Sequence, residues 1–241
     1  MSMESLMPTL RNVVFDVGNV LVRWSPAEII NLTFANPSQT DVWIQNIFKH
    51  ETWQGLNLGL MTEAEAQMRY QSLYGLAPSQ TARLFYYIKA TQIPIYQSHE
   101  LLERVARAGF RVFGLTDNVK EIVAHLRQQY DFWQWFEAVV VSAEVGMMKP
   151  HAEIFQYLLQ HHQLQADETV FIDDYLPNIK AAAACKCTIH LQAAYSNQAI
   201  SLAKVAMSSV RGKRCHCGRR LHPSSRTPNV PHPTGFAMGH R

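Results

Sequence analysis

The stretch Asn12-Val13-Val14-Phe15-Asp16-Val17-Gly18-Asn19-Val20-Leu21-Val22 runs from apolar, largely β-branched residues to a single carboxylate and then into a tight turn containing glycine. Continuous apolar residues of this kind mark a strand buried on both faces, as in a parallel sheet covered by helices. A polar side chain at the carboxyl end of such a strand stands where open α/β sheets build their sites. Asp16 is therefore a candidate nucleophile. The rest of the chain must then supply a cation to balance it, donors for an anionic substrate and a means of excluding water.

Downstream, strands alternate with helices, which argues for a parallel sheet with right-handed crossovers. Strands are predicted over 110–115, 138–142, 169–172 and 187–191. Helices are predicted over 100–108, 120–130, 153–162 and 178–184. The intervening residues 24–95 read differently, as several helices with no strand. Ser25-Pro26-Ala27-Glu28 is a helix start with proline at the first helical position, and Thr62-Glu63-Ala64-Glu65 is a capping box whose helix Gly75 ends. Further helices are predicted over 38–50 and 79–91. The expected architecture is α/β, a Rossmann-like doubly wound parallel sheet built from 1–23 and 96–206, with an α-helical cap domain inserted over 24–95.

Charge is unevenly distributed. Residues 1–203 hold 14 Lys+Arg against 19 Asp+Glu, whereas residues 204–241 hold 8 Lys+Arg and no acid. The region 207–241 has no apolar period and reads as a basic, disordered tail; with few aromatics to stack bases, nucleic acid is not expected as a partner. Cys185, Cys187, Cys215 and Cys217 do not form a disulfide framework. Cys215-His216-Cys217, with His222 beyond, has metal-ligand residue types, but its spacing is tighter than the usual zinc pair. No apolar stretch approaches the roughly 18 residues that span a bilayer, and Met1 to Thr9 lacks a signal-peptide pattern. A cytoplasmic monomer or homodimer with no membrane association is expected.

Four strand ends offer polar groups that such a sheet brings to one edge: Asp16, Thr116, Lys149 and the pair Asp173-Asp174. Adjacent carboxylates after a buried strand are costly unless a cation or a base compensates them.

The order of these groups resembles the haloacid dehalogenase superfamily of aspartyl-phosphate phosphatases over residues 12–192. The four matching motifs are Phe15-Asp16-Val17-Gly18-Asn19, Gly114-Leu115-Thr116-Asp117-Asn118, Lys149 in the run 146–150, and Phe171-Ile172-Asp173-Asp174 with Asn178 beyond. The resemblance implies that Asp16 attacks phosphorus and that Lys149 neutralises charge on Asp16 and on the phosphoryl group. It implies that Thr116, Asp117, Asn118 and Lys149 bind the phosphate of a small phosphorylated metabolite. It implies Mg²⁺ held by Asp16, the Gly18 carbonyl, Asp173 and Asp174, a ligand set suited to a hard cation. The helical insertion matches a cap that covers the site, with Trp24, Trp43, Trp53 and Tyr70 either lining it or forming its core.

Two positions depart from the family pattern. Gly18 stands where most of these phosphatases carry a second Asp, the general acid-base, and general acid-base help is worth about 10²–10⁴ in rate. This Asp-x-Gly-Asn form resembles the branch that includes α-D-glucose-1-phosphate phosphatase, and a hexose 1-phosphate has a comparatively good leaving group. Asp117 stands where Asn is common. It either replaces the missing acid or caps the following helix. Two other readings remain open at this point: a metal-independent 2-haloacid dehalogenase, and a catalytically weak homologue that binds a phosphometabolite or a protein.

Overall fold

The computed structural model describes residues 10–191, with side chains to Cys187. The tail over 207–241, with Cys215, His216, Cys217 and His222, lies outside the described residues. Strands β1 (Asn12–Phe15), β2 (Arg111–Thr116), β3 (Ala138–Val141), β4 (Thr169–Asp173) and β5 (Thr188–Leu191) form one parallel sheet in the order β3-β2-β1-β4-β5.

The alternation of side chains along each strand explains why both faces are covered. Val13, Phe15, Val112 and Ile172 point to one face, where they meet Leu101, Leu102 and Val105 of α6 (Tyr96–Arg107) and Ile122 and Leu126 of α7 (Lys120–Gln129). Val14, Phe113, Leu115 and Phe171 point to the other. There they meet Ile154, Phe155 and Leu158 of α9 (Ala152–His161) and Ile179 and Ala182 of α10 (Leu176–Ala184). A period-2 strand with apolar residues at both phases needs helices on both sides, and the chain supplies them.

Between β1 and α6 lie α1 (Pro26–Phe34), α2 (Thr40–Phe48), α3 (Glu51–Asn57), α4 (Glu63–Tyr74) and α5 (Pro78–Ala90). The expected boundary signals are present. Ser25 accepts from the Glu28 amide, the Thr62/Glu65 capping box is closed in both directions, and Gly75 ends α4 in the left-handed region at φ 64°. Helix α3 was not anticipated from the sequence; the His50 ring caps it by accepting from the Thr52 amide. The chain leaves and re-enters the sheet through two paired segments. The Arg23 amide donates to the Ile93 carbonyl at 2.8 Å and the Ile95 amide to the Leu21 carbonyl at 2.8 Å.

Tyr70 belongs to the interior of the inserted helices, whereas Trp43 is half-buried at their edge. The Tyr70 side chain is fully buried and donates to the Ile47 carbonyl, and Trp43 stacks on Phe34 at 4.4 Å. Trp24 and Trp53 stack on each other at 5.7 Å and are only half-buried. No helix among the described residues is long and apolar enough to cross a membrane.

One close approach joins the insertion to the sheet. Gly59, at φ 70°, lies against the carbonyl of Ala143 in the single-turn helix α8 (Ser142–Val145), and a Cβ at Gly59 would stand 2.1 Å from that oxygen. Only glycine fits this contact and this backbone angle. Gly59→Ala is expected to destabilise the protein by at least about 1–3 kcal/mol, the range for a strained backbone position. Urea unfolding measures this, and an unchanged midpoint would show that the turn can lift off α8 freely.

Candidate active site

The sheet order sets the site. Register pairs Phe15 with Gly114 on one side and with Ile172 on the other, so Asp16 emerges between Leu115 and Asp173. This is a topological switch point, where crossovers depart to opposite faces and leave a crevice at the carboxyl ends of the strands.

Lys149 fills that crevice from below. It is 5% exposed, and its ammonium lies 2.9 Å from Asp16 Oδ1, 2.8 Å from Asp173 Oδ2 and 3.1 Å from the Leu115 carbonyl. Those three partners account for all three of its protons. Burial alone would drive the proton off Lys149. The charges of Asp16, Asp173 and Asp117 outweigh it and hold the ammonium charged.

Asp16 Oδ1 also accepts from the Val17 amide at 2.7 Å, which leaves Oδ2 free of hydrogen bonds among the described residues. Burial pushes the Asp16 carboxyl up to about 7, against the pull of Lys149 and reinforced by Asp173. Asp173 is completely buried and fully engaged. Its Oδ1 accepts from the Tyr175 amide and Asn178, and its Oδ2 from Lys149 and Asn178, at 2.8–3.1 Å. Asp174 is partly exposed. Burial, followed by Asp173, raises its carboxyl above the usual range. Asp16, Asp173 and Asp174 each offer one oxygen, all within 4.8 Å of one another. Three carboxylates in that space suit a hard divalent cation, and the free Oδ2 of Asp16 with the partly exposed Asp174 are the members best placed to hold one.

At the end of β2, Thr116 is 1% exposed and its Oγ1 has no hydrogen-bond partner among the described residues. Asp117 does not cap α7: the N-cap is Val119, without a side-chain bond. That expectation is corrected. The Asp117 carboxylate instead accepts from the Lys149 main-chain amide at 3.0 Å, fixing the segment that carries the lysine. Burial raises its carboxyl, opposed by Lys149. Asn118 accepts from the Val119 amide with its side chain and donates its own amide to Ser142 Oγ at 2.9 Å. Both residues expected at the phosphate therefore use these bonds to shape the loop.

Three residues with no role assigned from the sequence help to assemble the site: Asn19, Ser142 and Asn178. Asn19 and Asn178 stand in the first and last motifs, a signal that came without a role; Ser142 carried none.

This arrangement and the fold define a hydrolase class, and the sequence comparison agrees. The profile of the haloacid dehalogenase-like hydrolases matches residues 10–186, and the chain belongs to that family. It is similar to a sesquiterpene phosphatase, astK, of Aspergillus oryzae, at 27% identity over 176 residues, covering 73% of this chain and 86% of the relative. A phosphoglycolate phosphatase of Pectobacterium atrosepticum is 24% identical over 195 residues, covering 75% and 79%. In fold it resembles a HAD-family enzyme of Bacteroides thetaiotaomicron in complex with magnesium and inorganic phosphate. The TM-score is 0.65 at 22% identity, covering 79% of this chain and 98% of that one.

The raised Asp16 carboxyl gives a pH dependence with a definite sign. The folded protein keeps a proton that the unfolded chain releases near its ordinary value of 3.8. The unfolded state thus binds fewer protons between the two values, and the Asp16 contribution to stability falls as pH rises through that window and is flat above it. In chelator, Asp16→Asn should gain stability relative to the wild type between about pH 4 and pH 7. Urea unfolding at several pH values tests this; a flat difference would mean that Asp16 is ionised throughout.

Proposed function

We propose that this protein is a Mg²⁺-dependent phosphatase of a small phosphorylated metabolite, working through an aspartyl phosphate on Asp16, with residues 24–95 as its cap. The observation that carries the reading is the Thr116 hydroxyl. A buried, unpaired polar group costs about 1–3 kcal/mol, and a phosphoryl oxygen at the end of β2 is the partner it lacks.

The Asp16 carboxylate forms the bond to phosphorus while the ester oxygen departs with its electron pair and takes up a proton from water. Water then attacks the acyl phosphate, releasing inorganic phosphate and restoring Asp16. Lys149 pulls the Asp16 carboxyl toward its ionised form, against burial, and places a positive charge beside the phosphoryl group. Asp173 and Asn178 hold that lysine, and Asp117 holds its main chain. Asp16, the Gly18 carbonyl, Asp173 and Asp174 would hold a divalent ion, which would supply charge neutralisation on the phosphoryl oxygens. Asp173, whose two oxygens already accept four hydrogen bonds, would add its charge to that site.

Within the class we favour a hexose 1-phosphate, because Gly18 brings no acid to the leaving oxygen and an anomeric leaving group needs least help. A cavity of about 190 Å³ lies between the α3–α4 connection and the start of α7, with none of Asp16, Thr116, Lys149, Asp173 and Asp174 in its wall. Thr62, Glu65 and Lys120 in its wall suit hydroxyls. The apolar members Leu56, Leu60 and Met61, together with the similarity to a sesquiterpene phosphatase, favour an apolar alcohol as the second reading. The carboxylate cluster speaks against a metal-independent dehalogenase, which has no use for Asp174.

The test is phosphate release from a hexose 1-phosphate, phosphoglycolate and a sesquiterpenyl phosphate with Mg²⁺, with and without EDTA. Release that EDTA abolishes and Asp16→Asn removes is expected; halide release from a 2-haloacid in EDTA would establish the dehalogenase, and substrate binding without turnover the binding-only homologue. Thr116→Val should lower kcat/KM by about tenfold or more while leaving stability unchanged or raised, since the hydroxyl has no internal bond to lose. A stability loss would show that Oγ1 has a structural partner.

Gly18 has nothing within 4 Å of a built Cβ and no left-handed backbone requirement. Gly18→Asp therefore fits, and should raise kcat/KM on an unactivated alkyl phosphate by about 10²-fold, with a much smaller gain on p-nitrophenyl phosphate, whose leaving group needs no proton. Equal gains on both would locate the effect in ion binding.

A further inference from the structure

Gly59, in the α3–α4 connection, rests against the carbonyl of Ala143. The residue before Ala143 is Ser142, which is fully buried at the start of α8 and bonds the Asn118 main chain twice. Its Oγ accepts from the Asn118 amide at 2.9 Å, and its hydroxyl donates to the Asn118 carbonyl at 3.3 Å. A hydroxyl can do both at once, because it carries one donor and two acceptor lone pairs. A side chain 24 residues away thus fixes the peptide groups on either side of Asn118.

Those peptides govern the residues just before them. Thr116, at the end of β2, has a buried hydroxyl without a partner among the described residues. The Asn118 amide is taken by Ser142 and the Val119 amide by the Asn118 side chain, whereas the Asp117 amide between them and Thr116 has no partner among the described residues. Two adjacent unpaired donors at a strand end suit an anionic oxygen.

We propose that Ser142 is a positioning residue for the phosphoryl group, and that the inserted helices act on it through Gly59. Seated on α8, they hold Ser142 against Asn118, and Asn118 holds the Thr116 and Asp117 donors in line. The inference rests on the phosphate site proposed above. Without the Ser142 hydroxyl the buried Asn118 amide is left unpaired, which is costly, and the loop turns it toward another acceptor, carrying the Asp117 amide with it.

The test uses the full chain with Mg²⁺ and reads the Kd of inorganic phosphate by calorimetry, well below the thermal midpoint of each variant. Ser142→Ala should raise that Kd by about tenfold or more, the cost of a small displacement at a positioned group. kcat/KM on p-nitrophenyl phosphate and on an alkyl phosphate should fall by similar factors, because the change lies on the phosphoryl side of the bond. Gly59→Ala, which forces the connection off the Ala143 carbonyl, should raise the phosphate Kd by about threefold or more. In a Ser142→Ala background it should change the Kd by less than about twofold, because its route to the loop is already gone. In the wild type, phosphate should move the Asp117 amide resonance while the Asn118 amide stays protected from exchange.

A Ser142→Ala Kd within about twofold of wild type would overturn the proposal, even with a lowered midpoint, since a purely structural residue gives that result. An undiminished Gly59→Ala effect in the Ser142→Ala background would overturn it too, as would an Asp117 resonance that phosphate leaves in place. A wild type that binds no phosphate, or a Thr116→Val variant that binds it equally well, would instead remove the phosphate site itself.

Discussion

The Lys149 ammonium is the constraint on which the rest of the structure depends. A buried charge left unpaired is strongly destabilising, by about 3–5 kcal/mol when one partner of a buried pair is removed. Here the partners come from three different strands: Asp16 after β1, the Leu115 carbonyl in β2 and Asp173 at the end of β4. Lys149 itself arrives on the segment after β3 and α8. Only a sheet that sets β2, β1 and β4 side by side in parallel delivers those groups to one point. The apolar alternation makes such a sheet stable; the lysine makes one strand order better than the others. Asp117 on the Lys149 main chain and Asn178 on Asp173 then remove the remaining freedom of the pair.

The parts of this arrangement written in local sequence were readable as such. β-branched runs gave the strands, and Ser25, Thr62 with Glu65, and Gly75 marked helix ends because caps act within a few residues. Asp16, Thr116 and Asp173 were recognisable by their place at strand ends; Lys149, expected at one as well, instead follows β3 by way of α8. What escaped was nonlocal or short. Helix α3 is seven residues long and interrupted by Gly55, and α8 is a single turn. Neither shows a period. Asp117 looked like a helix cap because aspartate before a helix usually is one; its actual partner lies 32 residues away. Asn118 and Ser142 are joined across 24 residues by bonds that no neighbouring residue announces.

The inserted helices are less separate from the sheet than an added lid suggests. Their buried residues, among them Ile47, Leu56, Tyr70 and Phe85, form one continuous apolar cluster with Phe15, Val112 and Ile172. The two connecting segments are paired with each other, and Gly59 meets Ala143 beside the Ser142–Asn118 bonds. Movement of these helices thus carries a consequence for the loop after β2. Displacing these helices would expose apolar surface at about 25 cal/mol per Å², which favours the packed arrangement.

Charge balance explains why a site this well hydrogen-bonded still calls for a ligand. Asp16, Asp117, Asp173 and Asp174 surround one ammonium, so full ionisation leaves the cluster three charges negative. The carboxyls of Asp16, Asp117 and Asp174 are all raised, burial being the first cause and Asp173 a contributor to each. Full ionisation of the cluster is thus disfavoured. A nucleophile that holds its proton cannot attack phosphorus. A divalent cation held by these carboxylates would lower the excess to a single negative charge and favour the ionised form of Asp16 that the proposed attack needs. A phosphoryl group would bring negative charge of its own, next to Lys149. On this account the strain among the carboxylates is what links ion binding to nucleophile activation, and a protein of this fold without that excess charge would bind neither ion nor phosphate with the same coupling.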